Sequence, residues 1–170
     1  MTLEHLWAGW RSDYVSGVGD PLPADTGACV FCRILGSGEA DEGTGIVWRG
    51  GRVLAILNAY PYTSGHLLVL PERHVGELED LATEEATEVW QALTDAVRAL
   101  KAAYAPDGVN VGGNFGRAAG AGIPGHFHLH VLPRWQGDTN FMTTVAGVRV
   151  MPEALDVTWR KVHSAWPTLG

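Results

Sequence analysis

Apolar residues recur at three- and four-residue steps from Thr83 to Tyr104. Ala86, Val89, Trp90, Leu93, Val97, Leu100 and Tyr104 share one stripe, the period of an amphipathic helix. Glu84 and Glu85 in the first turn and Lys101 near the end suit the helix dipole, and Pro106 and Gly108 close the run. Shorter runs predict strands. Ile46 to Trp48 and Val53 to Leu57 flank Gly50-Gly51, a hairpin signal. His66 to Leu70 is apolar on both faces and is stopped by Pro71; Val109 to Phe115, and His126 to Leu132 before Pro133, complete the set. Further helices are predicted over 3–14, over Phe31 to Leu35 ending at Gly36, and over 153–165. Residues 15–28, 36–45 and Gly116 to Gly125 are loops by composition, and Asn58 to Gly65 is a turn. The pattern predicts a single α+β domain with a mainly antiparallel sheet, one long helix and flanking N- and C-terminal helices.

Composition narrows the function. The 170 residues suit one domain, and 46% hydrophobic against 18% charged residues excludes a disordered chain. A formal charge of −7 argues against nucleic acid held by broad electrostatics. It leaves room for a small phosphate-bearing ligand held by local backbone dipoles. No apolar run has the length of a membrane span and the N-terminus lacks a signal-peptide pattern, so a soluble, cytoplasmic protein is expected. The two cysteines, Cys29 and Cys32, have the spacing of half a zinc site, of a redox pair, or of two reduced buried thiols.

The informative segment is His126-Phe127-His128-Leu129-His130-Val131-Leu132-Pro133. On a strand the three histidines share one face while Phe127, Leu129 and Val131 share the other, which belongs against the long helix. Seven histidines in 170 positions give this alternation by chance about 0.01 times per chain. His126 and His130 would lie roughly 13 Å apart along the strand, too far to share one zinc ion at ~2.0–2.1 Å. At least one histidine therefore needs another task, and a neutral imidazole can attack phosphorus or an acyl centre. Polar residues on a solvated sheet face are the plainer alternative.

HFHLHVLP resembles the signature of the histidine-triad (HIT) superfamily. CVFCRIL is similar to the family's N-terminal segment, LNAYPYTSGHLLVLPERHV to its sheet-and-turn region, and NFGRAAGAG to its phosphate loop. Residues 29–135 form the resembling core, with extensions 1–28 and 136–170. The flanks LWAGWRSDY and PRWQGDTNF resemble the diadenosine tetraphosphate phosphorylase-like, or ATP adenylyltransferase-like, branch.

The resemblance implies a HIT-like fold and nucleotidyl transfer through a nucleotidyl-histidine. His128 would be the nucleophile, while His126 and His130 would complete the catalytic triad, His130 holding phosphate oxygens. Asn58 matches a ribose contact and Phe31, Ile34 and Leu57 a wall for the base. Asn114, Gly116, Gly122 and Ile123 match the phosphate loop. Many members carry Gln and a Ser or Thr where this chain has Gly122 and Ile123. Cys29, Cys32, His74 and His126 match the ligands of zinc-containing members, implying a structural zinc. The implied partners are a purine nucleotide or dinucleoside polyphosphate and a second copy in a homodimer. Plainer roles stand beside these: Asn58 as a turn former, Phe31 and Ile34 as core, and His66 either touching the triad or a satisfied strand-end residue. Arg117 and Arg134 are the cations nearest the loop and triad in sequence, either to hold an incoming anion or as solvated charges. His5 and His163 are expected at the surface. Three function classes compete: an enzyme passing a nucleotidyl group to phosphate or water, a non-catalytic nucleotide binder, and a zinc-stabilised interaction module.

Overall fold

Four antiparallel pairings join five strands in the computed structural model, which describes residues 29–138 and 153–167. The helix expected over 3–14 and the loop over 15–28 lie outside the described residues. The strands are β1 (Ile46–Arg49), β2 (Val53–Leu57), β3 (Leu67–Pro71), β4 (Gly108–Gly112) and β5 (Leu129–Arg134), in the spatial order β1-β2-β3-β5-β4. The helices are α1 (Val30–Gly36), α2 (Asp41–Thr44), α3 (Thr83–Tyr104) and α4 (Leu155–Ala165). This is the expected α+β architecture with a mainly antiparallel sheet. The single turn of α2 interrupts a segment expected to be loop. No helix among the described residues is long and apolar enough to cross a membrane.

Strand alternation sorts the core into two layers. Val53, Ala55 and Leu57 of β2, with Leu67, Val69, Phe127 and Val131, pack beneath α3. Leu54, Ile56, Leu68 and Leu70 pack with Phe31 and Cys29 on the opposite face. The histidine-bearing segment therefore has the long helix behind it and α1 in front.

Three details correct the sequence reading. The β1–β2 turn is centred on Gly51-Arg52 rather than Gly50-Gly51, because the Gly50 N–H donates to the Val53 carbonyl. Glu88 of α3 accepts the N–H groups of Gly51 (2.6 Å) and Arg52 (3.2 Å). A Cβ on Gly50 would lie 2.1 Å from that carboxylate, so a larger residue there would push the Glu88 side chain aside. β5 runs on through Pro133, which pairs with Val109 of β4. Its other neighbour has gone, since the β3–β5 ladder ends at Leu67 and Val131, so the missing N–H costs no sheet bond. Finally, α3 has the expected ends but a rotated face. Val89, Ala92, Leu93, Ala96, Ala99 and Leu100 are buried, whereas Ala86 is exposed and Trp90 is 71% exposed. The small side chains of Ala92, Ala96 and Ala99 bring the helix close to the sheet.

α4 closes the β1 edge. Val162 and Trp166 enter the core beneath α3, and Trp166 stacks on Trp48. A register shift between Ile46 and Trp48 disturbs the ladder, and the Ile46 and Val47 carbonyls accept Trp159 Nε1–H (2.7 Å) and His163 Nδ1–H (2.8 Å). His163 is exposed, as expected, but it is bonded.

Glu85 does more than face a dipole. It is 5% exposed, and Ala82, the residue before α3, has no side-chain acceptor of its own. The Glu85 carboxylate accepts the Ala82 N–H (2.9 Å) and both arms of Arg73 (2.9 and 2.7 Å). The Arg73 guanidinium holds the Glu85 carboxyl below the ordinary carboxylate range, against the opposing effect of burial. A depressed folded-state pKa contributes stability above the unfolded value, and this is lost as pH falls through the folded one. Glu85→Gln is expected to cost about 1.5–3 kcal/mol near neutrality. Its deficit relative to the wild type should shrink as pH drops below about 4.3. Urea melts of both proteins across that range check it; a deficit independent of pH would contradict the assignment.

Candidate active site

The segment from His126 to His130 passes between α3 and α1 with its side chains alternating as expected. Phe127 points under α3 at 2% exposure, while the rings of His126 and His128 pack against Phe31 of α1 at centroid distances of 5.2 and 5.4 Å. The ladder of β5 begins at Leu129, so His126 and His128 precede it, with a bend at His126. The Phe127 N–H donates to Val75 (2.6 Å) and the His126 N–H to Ile123 (3.4 Å), which fixes this approach. Gly113 leaves the space beside it open: a Cβ there would come 2.6 Å from Leu129 and 3.4 Å from the His128 carbonyl.

Backbone groups set the protonation pattern of the rings. His128 is 7% exposed, and its Nδ1–H donates to the His126 carbonyl at 2.8 Å. A carbonyl only accepts, so the hydrogen sits on Nδ1 and Nε2 carries a lone pair. His66 is 1% exposed, and its Nδ1 accepts the Tyr62 N–H at 3.1 Å. The hydrogen of neutral His66 is then on Nε2 and donates to His130 Nδ1 at 2.9 Å. His130 must in turn carry its hydrogen on Nε2. The neighbouring rings of His128 and His130, 5.2 Å apart, therefore have opposite tautomers. One presents a lone pair and the other an N–H. Burial pushes the His128 imidazolium pKa down; burial and the adjacent His128 push that of His130 down to about 4. Both shifts favour the neutral ring, the form in which an imidazole lone pair can attack and an N–H can donate.

His126 serves a second centre. Its Nε2–H donates to the Pro71 carbonyl (2.9 Å), leaving the Nδ1 lone pair directed at Cys29 Sγ (3.4 Å) and Cys32 Sγ (3.8 Å). Cys32 Sγ lies 3.3 Å from His74 Nδ1. The ligand atoms of Cys29, Cys32, His74 and His126 all lie within 4.8 Å of one another, so this cluster could hold a metal ion. Zinc–sulfur and zinc–nitrogen bonds of ~2.3 and ~2.05 Å at tetrahedral angles place S and N about 3.6 Å apart. The donor set and spacing fit. Burial, and Cys29 beside it, push the Cys32 thiol up to about 11, so a bound cation would have to displace its proton.

The structure separates some residues expected together. Phe31 and Ile34 pack in the layer beside the histidines, but Leu57 lies in the layer under α3, on the other side of the sheet. Leu57 is thus not part of one wall with Phe31 and Ile34. Ile123 joins the Phe31 layer and Gly122 is exposed, so this apolar pair extends that surface rather than supplying polar help. Asn58 Oδ1 accepts the Tyr60 N–H (2.9 Å), which turns Nδ2 toward His66 Nδ1 at 3.3 Å. It is a turn former that also touches the histidine network. In the glycine-rich loop, Gly116 adopts φ 77°, and the N–H groups of Ala119, Gly120 and Ala121 bond to Gly116 and Arg117 carbonyls. Those three amides do not point at a ligand. Asn114 is half-buried, two residues beyond the last β4 pair, Gly112 with His130. The Arg134 fork is taken by Asp138 (2.6 and 2.7 Å) and Asn110 (2.9 Å), so it is not a free anion holder. Arg117 is half-buried within its 3-10 turn (Arg117–Ala119).

The sequence reading missed Tyr62, whose backbone and ring both contact the histidines. An aromatic in a turn four positions before a buried histidine was the available signal. The HIT domain family matches residues 40–137. The chain belongs to the HIT family. It is 40% identical over 167 residues to an AP-4-A phosphorylase of Mycobacterium tuberculosis, covering 96% of this chain and 85% of that protein. Among solved structures, a zinc-bound histidine triad family protein from Mycobacterium smegmatis matches with a TM-score of 0.66 and 29% identity. The match covers 83% of this chain and 94% of that one. A histidine triad nucleotide-binding protein from Sulfolobus tokodaii matches with a TM-score of 0.66 and 26% identity, over 81% and 91% of the two chains. In this HIT protein, as in the sequence expectation, the triad face and the Cys/His cluster meet at His126.

Proposed function

We propose that this HIT protein is a nucleotidyltransferase that cleaves a dinucleoside polyphosphate such as diadenosine tetraphosphate by phosphorolysis. The observation that carries the chemistry is the His128 Nδ1–H bond to the His126 carbonyl, which leaves Nε2 as a buried, unprotonated nucleophile. His128 Nε2 attacks the terminal α-phosphorus, an N–P bond forms, and the P–O bond to ATP breaks. His130 donates its Nε2–H to a phosphoryl oxygen and stabilises the charge that develops there. Phe31 and Ile34 offer the apolar wall for the base, and Asn58 retains a second amide hydrogen for a ribose hydroxyl. Asn114, Gly116, Gly122 and Ile123 border the phosphates. An orthophosphate oxygen then attacks the adenylyl-His128, the N–P bond breaks, and ADP leaves. The similarity to the AP-4-A phosphorylase over nearly the whole chain supports phosphate as acceptor.

Zinc is the metal we assign to Cys29, Cys32, His74 and His126. With four protein ligands it would be structural, tying α1 to the catalytic strand. A homodimer is the proposed assembly, since β4 is an edge strand with Val111 48% exposed. Diadenosine tetraphosphate with added phosphate should yield ADP plus ATP and little AMP. AMP plus ATP at a rate indifferent to phosphate would make the enzyme a hydrolase. Tight binding of nucleotide with no turnover would favour the non-catalytic reading.

A further inference from the structure

The turn between β2 and β3 is more than a connection. It folds Tyr62 back over two histidines: the ring lies 4.6 Å from that of His66 and stacks on His130 at 5.9 Å and an interplanar angle of 16°. The same residue's N–H donates to His66 Nδ1. His66 and His130 are joined at 2.9 Å, with ring centroids 5.1 Å apart. Tyr62 is 51% exposed, so one side of it meets solvent and the other covers this pair.

We propose that Tyr62 is a positioning residue for the reaction. Its backbone N–H fixes the His66 tautomer that donates to His130, and its ring excludes water from the His66–His130 bond, so that His130 presents Nε2–H to the phosphoryl group. The inference rests on the proposed role of His130. A neutral imidazole has one hydrogen, and each hydrogen in this chain is placed by the acceptor before it. Were His66 to carry its hydrogen on Nδ1, it would oppose the Tyr62 N–H and leave Nε2 facing the His130 Nδ1 lone pair. His130 would then turn its own hydrogen inward and offer the phosphate a lone pair, which repels it. Among the described residues, the titratable rings facing His130 are those of His128, His66 and Tyr62. Its sheet partners, Leu68 on β3 and Gly112 on β4, carry no charge. Aromatic stacking at these separations holds ring orientation, and loss of the cover admits water to a group whose burial now disfavours its charged form.

Tyr62→Phe keeps the ring and the N–H and removes only the hydroxyl; Tyr62→Ala keeps the N–H and removes the cover. The phenylalanine protein is expected within about twofold of the wild type, whereas kcat of the alanine protein should fall about tenfold to a hundredfold with little change in KM. The acidic limb of its pH–rate profile should move to higher pH. NMR titration of the imidazole signals should show the same rise for His130 in the absence of substrate. A Tyr62→Ala protein with the wild-type pH profile and the wild-type His130 titration overturns the proposal, as does a Tyr62→Phe protein as impaired as Tyr62→Ala. The NMR titration is independent of turnover. A shifted His130 signal in a protein that cleaves no dinucleoside polyphosphate would therefore count against the proposed activity and not against the cover.

Discussion

His128→Ala is expected to lower turnover of a dinucleoside polyphosphate on the order of ten-thousandfold or more, the scale set by removing a nucleophile. Nucleotide binding should persist, because the proposed binding groups lie on α1, the β2–β3 turn and the glycine-rich loop. The fold should persist too, since among the described residues the His128 side chain hydrogen-bonds to its own segment's backbone, the His126 carbonyl. His130→Ala should cost less, roughly a hundredfold to a thousandfold, because it removes a stabilising donor and leaves the attacking nitrogen in place. Intact-mass measurement after rapid quench separates the roles. The wild type should carry one nucleotidyl group, His128→Ala none, and His130→Ala should accumulate it slowly. Near-normal turnover by His128→Ala would refute covalent catalysis at this residue, and an adduct on another histidine would move the nucleophile elsewhere.

The sheet and the triad face were legible in the sequence because both depend on a period of two. His126, His128 and His130 alternate with Phe127, Leu129 and Val131, so placing the apolar set under α3 places the histidines opposite without further information. The ends of α3 were legible from Glu84, Glu85, Pro106 and Gly108, but its face was not. Large side chains drew the stripe through Trp90, whereas Ala92, Ala96 and Ala99 carry the contact by being small. Leu57 was misplaced for a related reason: its apolar character does not say which side of β2 it faces, and the pairing with β3 decides that. The tautomers of His66, His126 and His128 were beyond reach, since they are set by Tyr62 N–H, the Pro71 carbonyl and the His126 carbonyl. Backbone groups leave no mark in residue type. The Cys29, Cys32, His74 and His126 set came from family resemblance, and the fold then brought together residues 97 positions apart.

Protein purified without chelator is expected to carry close to one zinc ion per chain, and stripping it should affect both stability and nucleotide affinity. The stability effect follows from the donor set: structural sites in small peptides contribute roughly 10–16 kcal/mol of binding free energy. A chain with its own cores depends on the ion for a fraction of this. The layer under α3 contains none of the four ligands, so chelation should lower the melting temperature by about 10 °C or more without unfolding the protein. The affinity effect follows from geometry. Cys29 and Cys32 bracket Phe31, whose ring rests on His126 and His128, and the carbonyl of His126 holds the Nδ1–H of His128. Freeing the ligands should loosen α1, the proposed base wall and the residue that orients the proposed nucleophile together. Cys32→Ser should reproduce the loss of zinc, the lower melting temperature and weaker nucleotide binding, whereas Glu85→Gln should lower stability while leaving metal content and affinity unchanged. Metal analysis showing no zinc in the purified protein, with both thiols titrating freely, would remove the site. Zinc present, but nucleotide affinity unaltered by its removal, would confine it to anchoring the chain.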